Sequence, residues 1–144
     1  MKRKILISSI SSDSHTWNLV YMQLLVEEMG HEAINIGNCV QIDHLIKQAH
    51  YHKPDILVIS TVNGHGHIEG VEIVNEIKKY DMLKHMEIVI GGKLGTLGNE
   101  NQSYVQKLLD AGFDKVFWGD KSVDDFIVYL RDVKTQMYLV QGRN

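Results

Sequence analysis

The sequence predicts a doubly wound α/β domain, in which helices cover both faces of a parallel sheet. Short apolar runs alternate with helical patterns along the chain, and glycines or polar loops separate them. Each connection between strands therefore has room for a helix, as parallel strands require. The 144 residues fit one domain, and 44% hydrophobic with 23% charged residues is an ordinary globular composition.

The first half of the chain is predicted to contain two strands and two helices. An apolar run after the N-terminal basic residues ends in a polar loop, and a helical pattern then continues to Gly30, a typical helix terminator. A second apolar run ends at Gly37, and the following helix has its apolar residues on one face. The predicted elements are strand Lys4–Ser9, helix Thr16–Met29, strand Ala33–Ile36 and helix Gln41–His50.

The second half repeats this alternation three times. The only proline, Pro54, introduces the most apolar strand, which opens into a glycine-rich loop over residues 63–67. The predicted elements are strand Asp55–Ser60, helix Ile68–Tyr80, strand Glu87–Ile90 closed by Gly91-Gly92, helix Ser103–Ala111, strand Lys115–Trp118 and helix Ser122–Thr135. Such an alternation predicts a flavodoxin-like, five-stranded parallel sheet with strand order 2-1-3-4-5. We expect residues 1–135 to form this domain and residues 136–144 to be a C-terminal tail.

The composition excludes several classes of function. With 15 Lys+Arg against 18 Asp+Glu, the net charge of −3 provides no basic footprint for nucleic acid or for an anionic membrane surface. The apolar runs are far shorter than the roughly 20 residues of a membrane span, and no signal-peptide core follows Met1. The protein is therefore expected in the cytoplasm. The single cysteine, Cys39, has no disulfide partner and is expected to be a small buried hydrophobic residue.

Ligands of doubly wound sheets bind outside the carboxyl ends of the strands. The first loop at that edge contains Asp13 and His15, two residues apart. A carboxylate so placed accepts a hydrogen bond from the imidazole Nδ1–H, which fixes the tautomer and leaves Nε2 as a more basic metal ligand. On its own, the pair is more typical of a capping aspartate beside a solvated histidine.

Two further clusters follow later strands. Residues 19–59 separate Asn18 from Ser60-Thr61-Val62, and residues 63–90 separate that triplet from Gly91-Gly92. With this spacing the sequence resembles cobalamin-binding domains of the base-off, His-on type, whose pattern is Asp-x-His-x-x-Gly, Ser-x-Leu and Gly-Gly. It is especially similar, over nearly its whole length, to the family of small (sigma) subunits of glutamate mutase, also called methylaspartate mutase.

The resemblance implies a role for each cluster. His15 would displace the dimethylbenzimidazole base and become the lower axial ligand of cobalt, and Asp13 would orient it. Ser60 would contact the displaced nucleotide tail, and Gly91 and Gly92 would let the chain pass close to that tail. The further cofactor contacts that the resemblance implies are Ser12, Ser14, Thr16, Thr61, Val62, Gly64, Lys93, Leu94, Gly95 and Thr96.

Two positions depart from the family pattern. Val62 replaces the leucine of Ser-x-Leu, a loss of volume that a pocket absorbs. Asn18 replaces the glycine of Asp-x-His-x-x-Gly and brings a side chain to a place that the family leaves bare. The path and affinity of the nucleotide tail are therefore in question, whereas the ligand histidine is not.

The implied function is that of an enzyme component. The chain would be the cofactor-carrying small subunit of an adenosylcobalamin-dependent carbon-skeleton mutase, and a large barrel-type partner subunit would hold the substrate. The alternative is a stand-alone corrinoid-binding carrier or sensor without mutase activity, which the change at Asn18 favours slightly.

Three other features have alternative interpretations. His65 and His67 would be an incomplete zinc site without a third ligand, so we expect a glycine-rich loop that skirts the corrin ring or faces a partner. Trp17 and Tyr21 are expected to pack in the first helix layer, and the alternative is that they stack on a ligand. The segment Phe117-Trp118-Gly119 either ends the last strand in the core or borders the nucleotide tail, and the sequence does not separate the two.

Overall fold

The computed structural model describes residues 2–95 and 101–131, with no account of the side chain of residue 101. Within them, five parallel strands form one sheet with the order β2-β1-β3-β4-β5, which confirms the predicted flavodoxin-like topology. The strands are β1 (Lys4–Ser8), β2 (Glu32–Asn35), β3 (Ile56–Thr61), β4 (Glu87–Gly92) and β5 (Lys115–Phe117).

The helices lie on both faces of this sheet. They are α1 (Trp17–Glu28), α2 (Ile42–His52), α3 (Gly66–Ile77), a 3₁₀ turn (Asp81–Leu83), α4 (Asn101–Ala111) and α5 (residues 122–131). On one face, Leu19 and Val26 of α1 share a core with Phe126 and Leu130 of α5. On the other face, α2, α3 and α4 contribute the larger core, with Leu45, Ile73 and Leu108 among its members.

The central strand β3 is buried along its whole length, since helices cover it on both sides. It continues one residue further than predicted, to Thr61, and β4 continues through Gly91 and Gly92 instead of ending before them. The register pairs Ser60 with Gly91 and Thr61 with Gly92. The Ser60-Thr61 and Gly91-Gly92 clusters therefore lie side by side at the carboxyl edge of the sheet.

The predicted burial of Cys39 is wrong. This residue is exposed in the loop after β2. Its φ of +48° is a left-handed backbone conformation, which is typical of a turn. Its backbone N–H instead donates to the carbonyl of Asp13 at 2.8 Å.

The expected contact Thr96, residues 132–135 and the predicted tail 136–144 lie outside the described residues. None of the helices described has the length and apolar content that crossing a membrane requires.

Candidate cofactor site

The loop after β1 places Asp13 under the carboxyl edge of the sheet, where its side chain is completely buried. One carboxylate oxygen, Oδ1, accepts hydrogen bonds from the His15 backbone N–H at 3.0 Å and from His15 Nδ1 at 2.6 Å. The other, Oδ2, accepts from Thr61 Oγ1 at 2.7 Å and from the Val62 N–H at 2.8 Å. A single carboxylate thus joins the loop after β1 to the end of β3.

These contacts keep Asp13 ionised. Burial by itself raises the pKa of the Asp13 carboxyl, but hydrogen bonds from Thr61, His15 and Val62 outweigh burial and lower the pKa to about 2. An ionised carboxylate only accepts, so His15 Nδ1 is the donor in their contact, and in the neutral ring Nε2 is the nitrogen with the lone pair. The His15 side chain is 60% exposed, so this nitrogen is open to a ligand from outside.

Glu69 of α3 holds the start of the same loop. Its carboxylate accepts hydrogen bonds from Ser11 Oγ at 2.6 Å, from the Ser12 N–H at 3.3 Å and from the Ser12 hydroxyl. Asn63 Nδ2 also donates to Ser12 Oγ at 2.9 Å. Burial raises the pKa of Glu69, and the hydrogen bonds from Ser11 and Ser12 more than reverse this and lower it. Glu69 is not among the residues that the sequence patterns indicate, and its local signal is an acid in the first turn of a helix after a glycine-rich loop.

A cavity of about 370 Å³ opens between α1 and α5. Its floor is the carboxyl half of β3 and β4, including Ser60, and its walls are mostly apolar side chains. Trp17 and Tyr21 lie at the exposed side of this cavity, so the expectation that they pack inside is wrong. Phe117 satisfies both alternatives left by the sequence, because it is buried in the core and also lines the cavity.

Both glycines of the Gly-Gly pair line this cavity. At each of them, a Cβ atom would come too close to a neighbouring strand. At Gly91 a Cβ atom would lie 3.2 Å from Phe117 Cβ. At Gly92 the φ of +110° is strained for other residues, and a Cβ atom would overlap the Thr61 carbonyl oxygen. The close approach at Gly92 is therefore to the neighbouring strand, in addition to any ligand in the cavity.

The departure at Asn18 produces a direct contact across the mouth of the cavity. Asn18 Nδ2 donates to Ser60 Oγ at 3.0 Å and to the Ser60 carbonyl at 3.2 Å. The amide oxygen Oδ1 is buried without a hydrogen-bond partner. Asn18 thus takes one acceptor position of the Ser60 hydroxyl, the group that the resemblance assigns to the nucleotide tail.

The model of the B12-binding domain matches residues 3–121 of the chain. The chain belongs to the B12-binding domain family. Among curated proteins it is similar to the glutamate mutase sigma subunit of Fusobacterium nucleatum subsp. nucleatum, with 26% identity over 130 residues, 90% of this chain and 95% of the relative. It is also similar to the glutamate mutase sigma subunit of Clostridium tetanomorphum, with 25% identity over 92% of this chain and 96% of the relative.

A solved structure supports the same fold. A cobalamin-binding protein from Desulfitobacterium hafniense DCB-2 superimposes with a TM-score of 0.70 and 20% identity, over 91% of this chain. The chain spans 58% of that longer protein. At this identity the likeness shows a shared fold.

Two features of this B12-binding domain fit a cobalamin. His15 presents a nitrogen lone pair of the kind that cobalt accepts, held by a carboxylate as metal-ligating histidines commonly are. The cavity beside it has apolar walls, and its floor includes Gly91, Gly92 and the Ser60 hydroxyl. The residues present therefore fit the cofactor, and the Asn18 side chain reaches across the cavity to Ser60.

The remaining predicted contacts of this B12-binding domain lie in three places. Around His15, the Ser14 carbonyl accepts from Asn38 Nδ2, and Thr16 is the N-cap residue of α1. Gly64 turns the chain before α3 with φ +88°. Lys93 is exposed and its N–H extends the strand ladder to the Thr61 carbonyl at 2.9 Å.

Leu94 and Gly95 lie away from the cavity. The Leu94 side chain is buried in the larger core, and Gly95 lies against the ring of Tyr104. The Leu94 carbonyl accepts from the His67 backbone N–H at 3.0 Å and from His67 Nδ1 at 2.7 Å, and the His67 ring stacks on Tyr104. No group of three metal-ligating side chains occurs in the part of the chain that the structure describes.

Proposed function

We propose that this B12-binding domain carries cobalamin with the nucleotide base displaced and with His15 as the lower axial ligand of cobalt. The observation that carries this proposal is the contact between His15 Nδ1 and the buried, ionised Asp13 carboxylate. That carboxylate fixes the ring orientation and leaves Nε2 turned away from Asp13, as a metal-ligating nitrogen has to be. Thr61 and Val62 hold the carboxylate in turn, so the ligand is oriented from the central strand.

The displaced nucleotide tail would enter the cavity between α1 and α5. Its apolar walls suit an aromatic base, and Ser60 supplies a hydroxyl at the floor. The tail would share that hydroxyl with Asn18 Nδ2, which uses one of its acceptor positions. Binding is therefore expected to alter the contact between Asn18 and Ser60.

The function that we propose is that of the cofactor-bearing small subunit of a carbon-skeleton mutase in the cytoplasm. The similarity to two glutamate mutase sigma subunits over nearly their full length supports it. Bound adenosylcobalamin supplies radical chemistry, whereas the residues of this chain bind and orient it. A large barrel-type partner subunit would hold the substrate and cover the upper face of the corrin.

Electron paramagnetic resonance of the cob(II)alamin-loaded protein tests the ligand. We expect superhyperfine coupling to one nitrogen, and this pattern should change when only the histidines carry ¹⁵N. An unchanged pattern, with coupling from the cofactor's own base, would show that the base remains on cobalt and would refute the proposed ligation.

One observation favours a second candidate, a stand-alone corrinoid carrier or sensor. Asn18 already donates a hydrogen bond to Ser60 in the protein without cofactor, and a contact that reforms on release suits reversible loading. Mixing the loaded protein with a glutamate mutase large subunit and glutamate separates the two functions. Formation of methylaspartate supports the mutase subunit, and cobalamin binding without complex formation or turnover supports the carrier.

A further inference from the structure

Two aromatic side chains lie exposed on the side of α1 that borders the cavity. Trp17 and Tyr21 both line the cavity, and they are 82% and 52% exposed. Their spacing of four residues places them on one face of the helix. Other residues attach α1 to the sheet, with Leu19 and Val26 buried in the core. The aromatic pair, as we call Trp17 and Tyr21, therefore leaves much of its ring surface open to a ligand.

The aromatic pair lies at the same edge of the sheet as His15. Trp17 is the first residue of α1, and only Thr16 separates it from His15. Side chains of an α-helix lean toward its N-terminus, which in α1 is the end next to the loop that contains His15. An arm that runs from a group held at His15 into the cavity therefore passes the aromatic pair.

The far side of the cavity is also aromatic. Phe117 of β5 and Phe126 of α5 line it, and both side chains are buried, with ring centroids 5.4 Å apart. A volume of about 370 Å³ is near the lower limit of the roughly 300 to 1,000 Å³ found for small-molecule sites. The cavity therefore suits one flat arm of a large cofactor, and such an arm would cover aromatic surface that water now contacts.

We propose that the aromatic pair stacks on the displaced base of the cofactor and makes the domain selective for corrinoids with an aromatic nucleotide base. This selectivity rests on the proposed function, since a base is free to stack only after it has left cobalt. Trp17 would contribute most, because it is the more exposed ring and the one next to His15. Stacking of a nucleic-acid base on an aromatic side chain typically adds about 10- to 100-fold in affinity, and a benzimidazole has a similar π-face.

Titration of the full-length protein with cobalamin and with cobinamide tests this selectivity. Cobinamide has the corrin ring but lacks the nucleotide. Trp17→Ala should weaken cobalamin binding about 10-fold and change cobinamide binding less than about two-fold, because only cobalamin has a base to stack. Trp17→Phe should restore most of the loss. Tyr51→Ala is the matched control and should bind both ligands like the parent, since Tyr51 is 80% exposed on α2 at the opposite face.

Other covers of Trp17 give different results in the same titrations. Equal losses for both ligands would mean that Trp17 contacts the corrin ring, and unchanged affinities would mean that neither part of the cofactor covers it. Either result overturns the proposal. Electron paramagnetic resonance of the parent separates these failures from a failure of the proposed function. A base that remains on cobalt refutes both, whereas His15 ligation with unchanged cobalamin affinity in Trp17→Ala refutes only the stacking.

The proton resonances of the bound base report the stacking directly. In the complex with diamagnetic cob(III)alamin, the two methyl groups of dimethylbenzimidazole should resonate upfield of their positions in the free base-off cofactor, because a stacked indole ring shields them. Trp17→Ala should remove most of this shift, and Tyr51→Ala should keep it. Methyl resonances that are the same in Trp17→Ala and in the parent would contradict stacking on Trp17, even if the affinity falls.

Discussion

His15 and His67 lie at the same edge of the sheet, His15 in the loop after β1 and His67 in the first turn of α3, and each uses Nδ1 in a short contact, yet they differ in what they offer to a ligand. His15 donates to the buried carboxylate of Asp13 at 2.6 Å and is 60% exposed. His67 contacts the Leu94 carbonyl at 2.7 Å, and its ring stacks on Tyr104 at a centroid distance of 4.0 Å.

The difference shows that the hydrogen-bond partner decides the role of a histidine. An anionic partner fixes the tautomer and makes the far nitrogen a better donor to a metal. A neutral carbonyl and a stacked ring mainly hold the first turn of α3 against the loop after β4 and against α4. We therefore expect His15 to bind cobalt and His67 to stabilise the fold.

Replacing His15 gives the largest expected effect. His15→Ala should abolish nitrogen coupling from the protein in the cob(II)alamin spectrum, because the ligand itself is gone. The fold should survive, since the side chain is largely exposed in a loop. His67→Ala is the matched control and should retain the coupling. If the spectra of the two variants are alike, the assignment of different roles is wrong.

Changing the partner of His15 should give the next largest effect. Asp13→Asn keeps the shape but places an amide N–H₂ where a carboxylate oxygen accepts two hydrogen bonds, so cobalamin affinity should fall about 10- to 100-fold. Asp55→Asn provides a control, because Asp55 Oδ2 also accepts a backbone hydrogen bond, from Lys4, but at the opposite edge of the sheet. In a cobalamin titration, the Asp55→Asn variant should have the affinity of the parent. Equal losses in both variants would indicate a general effect on folding.

Removing the contact between Asn18 and Ser60 should change cobalamin affinity less than Asp13→Asn does, and should raise it instead of lowering it. Asn18→Gly frees Ser60 and the cavity mouth, so cobalamin should bind several-fold tighter. The melting temperature without cofactor should fall, because the variant loses the Ser60 hydrogen bonds and has glycine in a helix. Asn18→Ala removes the same hydrogen bonds but keeps Cβ. It therefore separates the loss of those bonds from the effect of glycine on the helix. Weaker binding by the glycine variant would identify Asn18 as a contact that helps to hold the cofactor.

The smallest expected effect concerns stability alone. His67→Ala should lower the free energy of unfolding by about 1 to 2 kcal/mol, through loss of the Leu94 hydrogen bond and the Tyr104 stacking. His15→Ala should lower it less, because the Asp13 carboxylate keeps its bonds from Thr61 and Val62. Denaturant titration of both proteins without cofactor gives the comparison, and the reverse order would contradict it.

The sequence by itself determined the alternation of strands and helices, the sheet order and the pairing of Asp13 with His15. These depend on local information: apolar periodicity, turn residues and two side chains of one loop. The observed ends of the strands differ from the predicted ones where pairing with a neighbouring strand extends an element. In β4, for example, Gly91 and Gly92 pair with Ser60 and Thr61.

Only the tertiary structure decided which residues far apart in the chain share a contact. Glu69 holds Ser11 from a distant helix, and Asn18 binds Ser60 across the sheet edge. The exposure of Tyr21 likewise depends on whether another element covers that side of α1. The helical period of apolar residues predicts an apolar face, but it does not predict which element packs against that face. Local sequence therefore specified the elements and the ligand pair, whereas the cavity mouth and the outer face of α1 followed from how those elements pack.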